Sequence, residues 1–97
     1  MSIYRDVYIS CDVGWANLFE PLIDKCREKG VGVFLVKEKY GTLRFYTDRS
    51  DLEIDDMIDK AEEASATICE RCGDAGVTRI DRGWIQTLCD VCNTTNE

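Results

Sequence analysis

The chain predicts an α+β fold: two amphipathic helices on a small antiparallel sheet or hairpin, closed at the C-terminal end by a pair of cysteine knuckles. Three observations predict it. Apolar residues recur at helical spacing through Trp15–Cys26 and again through Ile54–Ile68, an alternating segment lies between them, and two Cys-x-x-Cys pairs occupy the last third. The 97 residues are enough for one domain with a thin core. Residues 1–68 read as the α+β body and 69–97 as a knuckle subdomain.

Val7, Ile9 and Cys11 alternate with more polar neighbours, as a short strand would. Trp15, Leu18, Phe19, Leu22, Ile23 and Cys26 then form one helical stripe. Pro21 is best tolerated in a first turn, which predicts a helix start between Asn17 and Glu20. Gly30 follows Arg27 and Lys29 as a natural helix end. Val31–Val36 reads as a covered strand, Tyr40-Gly41 as a two-residue turn, and Leu43–Thr47 as the returning strand. That register sets Val36 opposite Phe45, Lys37 opposite Arg44 and Glu38 opposite Leu43. It predicts Phe34, Val36, Leu43 and Phe45 on one face, and Lys37, Lys39, Arg44 and Tyr46 on the other.

Ser50-Asp51-Leu52-Glu53 has the form of a capping box with Ser50 as N-cap. The helix it opens carries Ile54, Met57, Ile58, Ala61, Ala64, Ser65 and Ile68 on one stripe and runs toward Cys69. Val77–Ile80 and Trp84–Thr87 read as short strands around Asp81-Arg82-Gly83.

Cys69-Glu70-Arg71-Cys72 and Cys89-Asp90-Val91-Cys92 are sixteen residues apart, a zinc-site spacing. Two residues between thiolates let one tight turn aim both sulfurs at a single ion, and two such turns complete a tetrahedron. The chain has no histidine, so a complete site here is all-sulfur: Cys69, Cys72, Cys89 and Cys92 around one structural zinc ion. Four protein ligands leave no position for a catalytic water. Only five residues follow Cys92, so a two-stranded ribbon is at least as good a reading as a treble clef, which continues into a helix. Cys26 falls on the apolar stripe as a core residue; Cys11 reads as either a core residue or an exposed reactive thiol.

The 12 basic and 19 acidic residues give a net charge of −7. Four thiolates and one dication would move this to about −9. Such a chain repels phosphate backbones, so nucleic-acid binding needs a segregated basic patch. The hairpin face of Lys37, Lys39, Arg44 and Tyr46 is the candidate: a phosphate- or carboxylate-binding face, or a charged face neutralised by the protein's own acidic helix. That helix, Asp51–Glu63, reads as a solvated face rather than a nucleic-acid mimic. The N-terminal segment has no apolar signal region, and the longest apolar run is too short to span a bilayer, so a reducing cytoplasm is the expected compartment. Without histidine no Cys–His or Ser–His–Asp set exists, and neither phosphate-binding glycine motif is present, so no enzyme is expected.

The segment Lys37-Glu38-Lys39-Tyr40-Gly41-Thr42-Leu43-Arg44-Phe45-Tyr46, with Cys69-x-x-Cys72-Gly73, Gly83-Trp84 and Thr87-Leu88-Cys89, resembles a family of small uncharacterised bacterial and bacteriophage zinc-binding proteins. Its members carry K-E-K-(F/Y)-G-x-L-R-F-Y, C-E-x-C-G and G-W-x-x-T-L-C. The similarity runs from about Gly14-Trp15 to Cys92. Many members end in C-x-x-H, where this chain has Cys92; the change keeps four ligands and alters only the site's charge. The resemblance implies a small cytoplasmic zinc protein, plausibly phage-encoded, with no established activity. On this basis the expected function is non-catalytic protein binding, as a modulator or inhibitor of a host protein. The alternative is nucleic-acid binding through the hairpin face.

Overall fold

A computed structural model of the chain describes residues 8–80, 83 and 85–95. The order of elements is β1 (Tyr8–Ser10), a 3-10 turn (Val13–Trp15), α1 (Ala16–Lys29), β2 (Val33–Lys39), β3 (Thr42–Thr47), α2 (Leu52–Ser65), β4 (Val77–Arg79), β5 (Gln86–Leu88) and α3 (Asp90–Thr95). The fold is α+β as expected, with one difference in the main sheet. Its order is β1-β2-β3, and β1 pairs parallel to β2 while β2 and β3 are antiparallel. The sheet is therefore mixed. A parallel neighbour needs a crossover, and α1 provides it by carrying the chain from β1 back to β2. Val7, expected in this strand, lies outside the described residues.

α1 starts at Ala16, earlier than Pro21 suggests, because the 3-10 turn leads directly into it. Pro21 sits inside the helix, where it removes the single ladder bond to the Asn17 carbonyl. Both residues are exposed, so water can serve that carbonyl. The helix ends in a Schellman motif: Gly30, at φ 73°, donates to Arg27 O at 3.2 Å and Val31 N donates to Cys26 O at 2.8 Å. That use of Val31 is why β2 begins at Val33 rather than at Val31.

The β2–β3 register is the expected one, with Val36 opposite Phe45, Lys37 opposite Arg44 and Glu38 opposite Leu43. Tyr40 (φ 55°) and Gly41 (φ 85°) form a turn with two positive φ values, the type I′ geometry that matches strand twist. Phe34 departs from the expected face. Asp48 clamps Gly32, accepting its N–H at 3.0 Å while donating its own to Gly32 O at 2.8 Å. The register slips between Val33 and Leu35, so Phe34 is an extra residue that stacks on Tyr46 instead of joining Val36.

The core lies between the sheet and both helices: Trp15, Phe19, Leu22, Ile23 and Cys26 from the α1 region, Val36, Leu43 and Phe45 from the sheet, and Ile54 and Ala61 from α2. Each large side chain buried here contributes about 1.5–3 kcal/mol. The N-cap of α2 is Asp51, not Ser50; its carboxylate accepts from Ile54 N at 3.1 Å. An ionised side chain suits a helix N-terminus, and Lys29 of α1 adds a second partner at 3.2 Å. Ser50 donates to Asp55 instead, and Glu53 is held by Lys29 at 2.8 Å and Lys25 at 3.5 Å rather than reaching back to the cap.

α2 does not run into Cys69. It ends at Ser65, whose hydroxyl donates to Glu62 O at 2.6 Å and accepts the buried Leu43 N–H at 2.8 Å. A turn through Ala66 and Thr67 then leads to Ile68, which bridges Ala75. β4 and β5 pair antiparallel, Val77 with Leu88 through Arg79 with Gln86. They are shorter and slightly shifted from the expected ranges, and Asp81, Arg82 and Trp84 lie outside the described residues. No described helix is long and apolar enough to cross a membrane.

Candidate metal centre

The first knuckle is a tight hairpin. Cys69 N donates to Asp74 O at 2.7 Å, Gly73 N to Cys69 O at 2.9 Å and Gly76 N to Thr67 O at 2.8 Å. Gly73 adopts φ 89°, the positive value that such a turn requires. The second knuckle opens from β5 into α3: Asn93 N donates to Cys89 O at 2.9 Å and Cys92 N approaches Cys89 Sγ at 3.4 Å. A knuckle, a hairpin and a second knuckle continuing into a helix make this treble-clef-like, despite the short tail. Arg79 braces it, its guanidinium donating twice to Leu88 O at 3.2 and 3.0 Å and once to Asp90 Oδ1 at 2.8 Å.

These two turns gather Cys69, Cys72, Cys89 and Cys92 with all four Sγ atoms within 4.8 Å of one another. The Cys72–Cys89 Sγ separation is 3.6 Å. A tetrahedron with metal–sulfur bonds of about 2.3 Å has edges of about 3.8 Å, while a disulfide needs about 2.05 Å. The spacing fits four ligands of one ion, and all four cysteines are unbridged. Protonation points the same way. Burial opposes ionisation of Cys69, but the N–H groups of Cys89, Cys72 and Arg71 outweigh it and bring the thiol down to about 6. Hydrogen bonding to Cys89, reinforced by burial and the neighbouring sulfurs, pushes Cys92 up to about 12. One thiolate is thus prepared by the backbone, and binding a cation would displace the proton held at Cys92. Soft sulfur donors in a tetrahedron select ions such as zinc or iron.

The centre is fastened to the body through residues that the spacing argument does not single out. Trp15, fully buried, donates its indole N–H to Ile68 O at 2.9 Å. Gly14 lies so close to the first knuckle that an added Cβ would collide with the Cys69 and Glu70 carbonyls. Glu70 is buried between the two cysteines of that knuckle, and its Oε2 accepts from Asp12 N at 3.3 Å. Burial, opposed by that N–H and reinforced by Glu38, Asp12 and Cys69, raises its carboxyl to about 7. On the other side, Thr87 donates to Gly41 O at 2.6 Å and contacts Thr78 Oγ1 at 2.9 Å. The Tyr40-Gly41 turn and the Thr87-Leu88-Cys89 segment therefore touch each other. In the sequence Trp15 shows only as the first residue of the helical stripe, and Gly14 carries no signal of its own.

The hairpin residues are gathered less tightly. Lys37 is half-buried, opposite Arg44, and makes no ion pair within the described residues. Lys39 places its ammonium 5.5 Å from the Tyr40 ring centroid, turned toward the hairpin tip. Arg44 lines a shallow groove of about 530 Å³ with Thr42, Asp59, Glu62, Glu63 and Ala66, and its Nε is buried without a hydrogen-bond partner. Burial raises the Glu62 carboxyl and Arg44 counters it, so the acidic helix offsets Arg44 through space without an ion pair. Tyr46 stacks on Phe34 with ring centroids 6.3 Å apart. Cys11 is half-buried against the core, and burial, reinforced by Glu70, Asp12 and Glu38, pushes its thiol up to about 12. Cys26 is fully buried in the core.

Comparison with family models, with curated proteins and with solved structures finds no match for this chain.

Proposed function

We propose that this chain is a zinc-stabilised, non-catalytic protein-interaction module that works in a reducing cytoplasm. The observation that carries this reading is the closed set of four cysteine sulfurs within 4.8 Å of one another, which suits a structural ion with no open position for substrate. Zinc is the natural occupant because it takes four thiolates tetrahedrally and asks for no redox partner. The metal turns a thin core into a rigid platform. A role as a phage-encoded modulator of a host protein follows from the family resemblance and belongs to this proposal.

The test is affinity capture of the tagged, zinc-loaded chain from lysate of its own host, with and without nuclease. A stoichiometric protein that survives nuclease and moderate salt supports the reading. Partners that vanish with nuclease refute it in favour of nucleic-acid binding. That second reading has one observation on its side, the unneutralised Lys37 beside Arg44, and it predicts steep weakening with salt. Metal analysis of the purified chain checks the ion: one zinc per chain is expected.

A further inference from the structure

Resting on the reading of the chain as a protein-binding module, we infer that its docking surface is the outer face of the three-stranded sheet. The occupant is an acidic segment of a partner protein that also carries an apolar side chain. The helices cover only the inner face, where Ile9, Val36, Leu43 and Phe45 point. The register fixes what the outer face presents. Tyr8, Leu35 and Tyr46 lie side by side across all three strands, and Ser10, Lys37 and Arg44 form the next outward row. The slip in β2 adds Phe34 to the apolar row. Tyr8, Phe34 and Tyr46 are 68%, 56% and 39% exposed and Leu35 between them is half-buried, so no described element covers the row.

An apolar row thus runs beside a cationic one, about 7 Å away along the strands. Like charges directly opposite each other across a ladder are unfavourable, and Lys37 and Arg44 are so placed with no ion pair within the described residues. A carboxylate laid between them relieves that repulsion, while an adjacent aromatic or aliphatic side chain covers Tyr46 and Phe34. Asp51 and Glu53 are engaged by Lys25 and Lys29, and Asp56 by Lys60, whereas Asp59, Glu62 and Glu63 of α2 line the groove at Arg44 and compete for that cation. Lys37, on the middle strand, makes no ion pair within the described residues and is the cation that the proposed carboxylate chiefly meets.

Two other occupants fit less well. A second copy would set one cationic row against another in a single interface. A nucleic-acid strand would meet a chain of net charge −7, and Phe34 and Tyr46 already lie against each other, leaving no slot between them for a base.

The experiment titrates the full-length, 15N-labelled, zinc-loaded chain with three probes: the peptide Glu-Asp-Phe-Glu-Asp-Leu, its counterpart with lysine at each acidic position, and a ten-nucleotide oligothymidine. Expected are saturable amide shifts at Leu35, Lys37, Arg44 and Tyr46 with the acidic peptide alone. Lys37→Glu should weaken that binding at least about fivefold, and Phe34→Ala should weaken it as well. The reversal sets opposite charges across the ladder, so the variant keeps its fold. The inference is overturned if the acidic peptide leaves these amides unmoved, if the oligothymidine occupies the face more tightly, or if the shifts arise on concentrating the chain alone. A captured partner that binds wild type and Lys37→Glu equally overturns this face while leaving the protein-interaction reading standing.

Discussion

Gly14→Ala tests how the metal centre is joined to the body. The backbone at Gly14 needs no unusual φ, so the substitution acts through contact alone. The new Cβ would fall well inside 3.0 Å of the Cys69 and Glu70 carbonyl oxygens, and both are backbone atoms that cannot swing aside. Relief requires the knuckle to retreat by about an ångström. The Trp15 indole N–H bond to Ile68 O, now 2.9 Å, would then exceed hydrogen-bonding distance and leave a buried donor unpaired. Overpacking at about 1–3 kcal/mol and a lost buried hydrogen bond at about 1–3 kcal/mol combine to about 3 kcal/mol. For a domain of this size that lowers Tm by about 12–24 °C. Because docking and metal binding stabilise the same knuckle, zinc affinity should fall by up to about a hundredfold. Thermal unfolding in excess zinc reads the first quantity and competition with a chromogenic chelator reads the second. Gly30→Ala is the control: its φ is +73° with nothing within 4 Å, so it should cost about 1–2 kcal/mol and leave zinc affinity alone. If Gly14→Ala matches wild type within about 0.5 kcal/mol, or loses stability with unchanged zinc affinity, the coupled-docking argument is wrong.

Cys69→Ser or Cys89→Ser should lose the metal and unfold at least the C-terminal third, since structural zinc contributes on the order of 10–16 kcal/mol of apparent binding free energy; a folded, metal-free variant by mass spectrometry and amide spectra would refute the stapled-domain account. Thr87→Val leaves the buried Gly41 carbonyl without its 2.6 Å donor and should destabilise by about 1–3 kcal/mol in urea unfolding, with zinc still bound. Lys29→Met should remove the main partner that holds the Glu53 carboxyl below its ordinary value, and the secondary one at Asp51, which the Ile54 N–H chiefly holds down. A depressed carboxyl pKa contributes stability above its unfolded value and loses it as pH falls through the folded one. The gap between wild type and Lys29→Met should therefore be full above about pH 4.5 and shrink on acidification, as read by denaturation at a series of pH values. A gap that widens in acid would contradict that assignment.

The hairpin register was legible because strand alternation has period two and a Tyr-Gly turn leaves room for only two loop residues. The gathering of Cys69, Cys72, Cys89 and Cys92 was legible because cysteine pairs at this spacing have few other uses. Less visible was anything decided by long-range contact. Phe34 leaves its expected face because Asp48 clamps Gly32, sixteen residues away, and no local pattern carries that information. Asp51 takes the cap from Ser50 because Lys29 on another helix stands beside it. β1 runs parallel because α1 is a crossover, a fact of topology rather than composition. Gly14 is a small residue in a polar loop until the knuckle 55 residues later is placed against it.

The bonds that join Asp12 to Glu70 and Trp15 to Ile68 span 58 and 53 residues of chain. Closing loops of that length costs conformational entropy before any contact rewards it, so this union forms late in folding. Synthesis adds a matching order, because Cys69 and Cys72 leave the ribosome before Cys89 and Cys92. A nascent chain can hold an ion with two sulfurs but cannot close the tetrahedron until β5 has emerged. An ion held by all four sulfurs and the docking of the Asp12–Trp15 segment on the first knuckle would therefore favour each other, so that metal capture would report on assembly of the whole knuckle region.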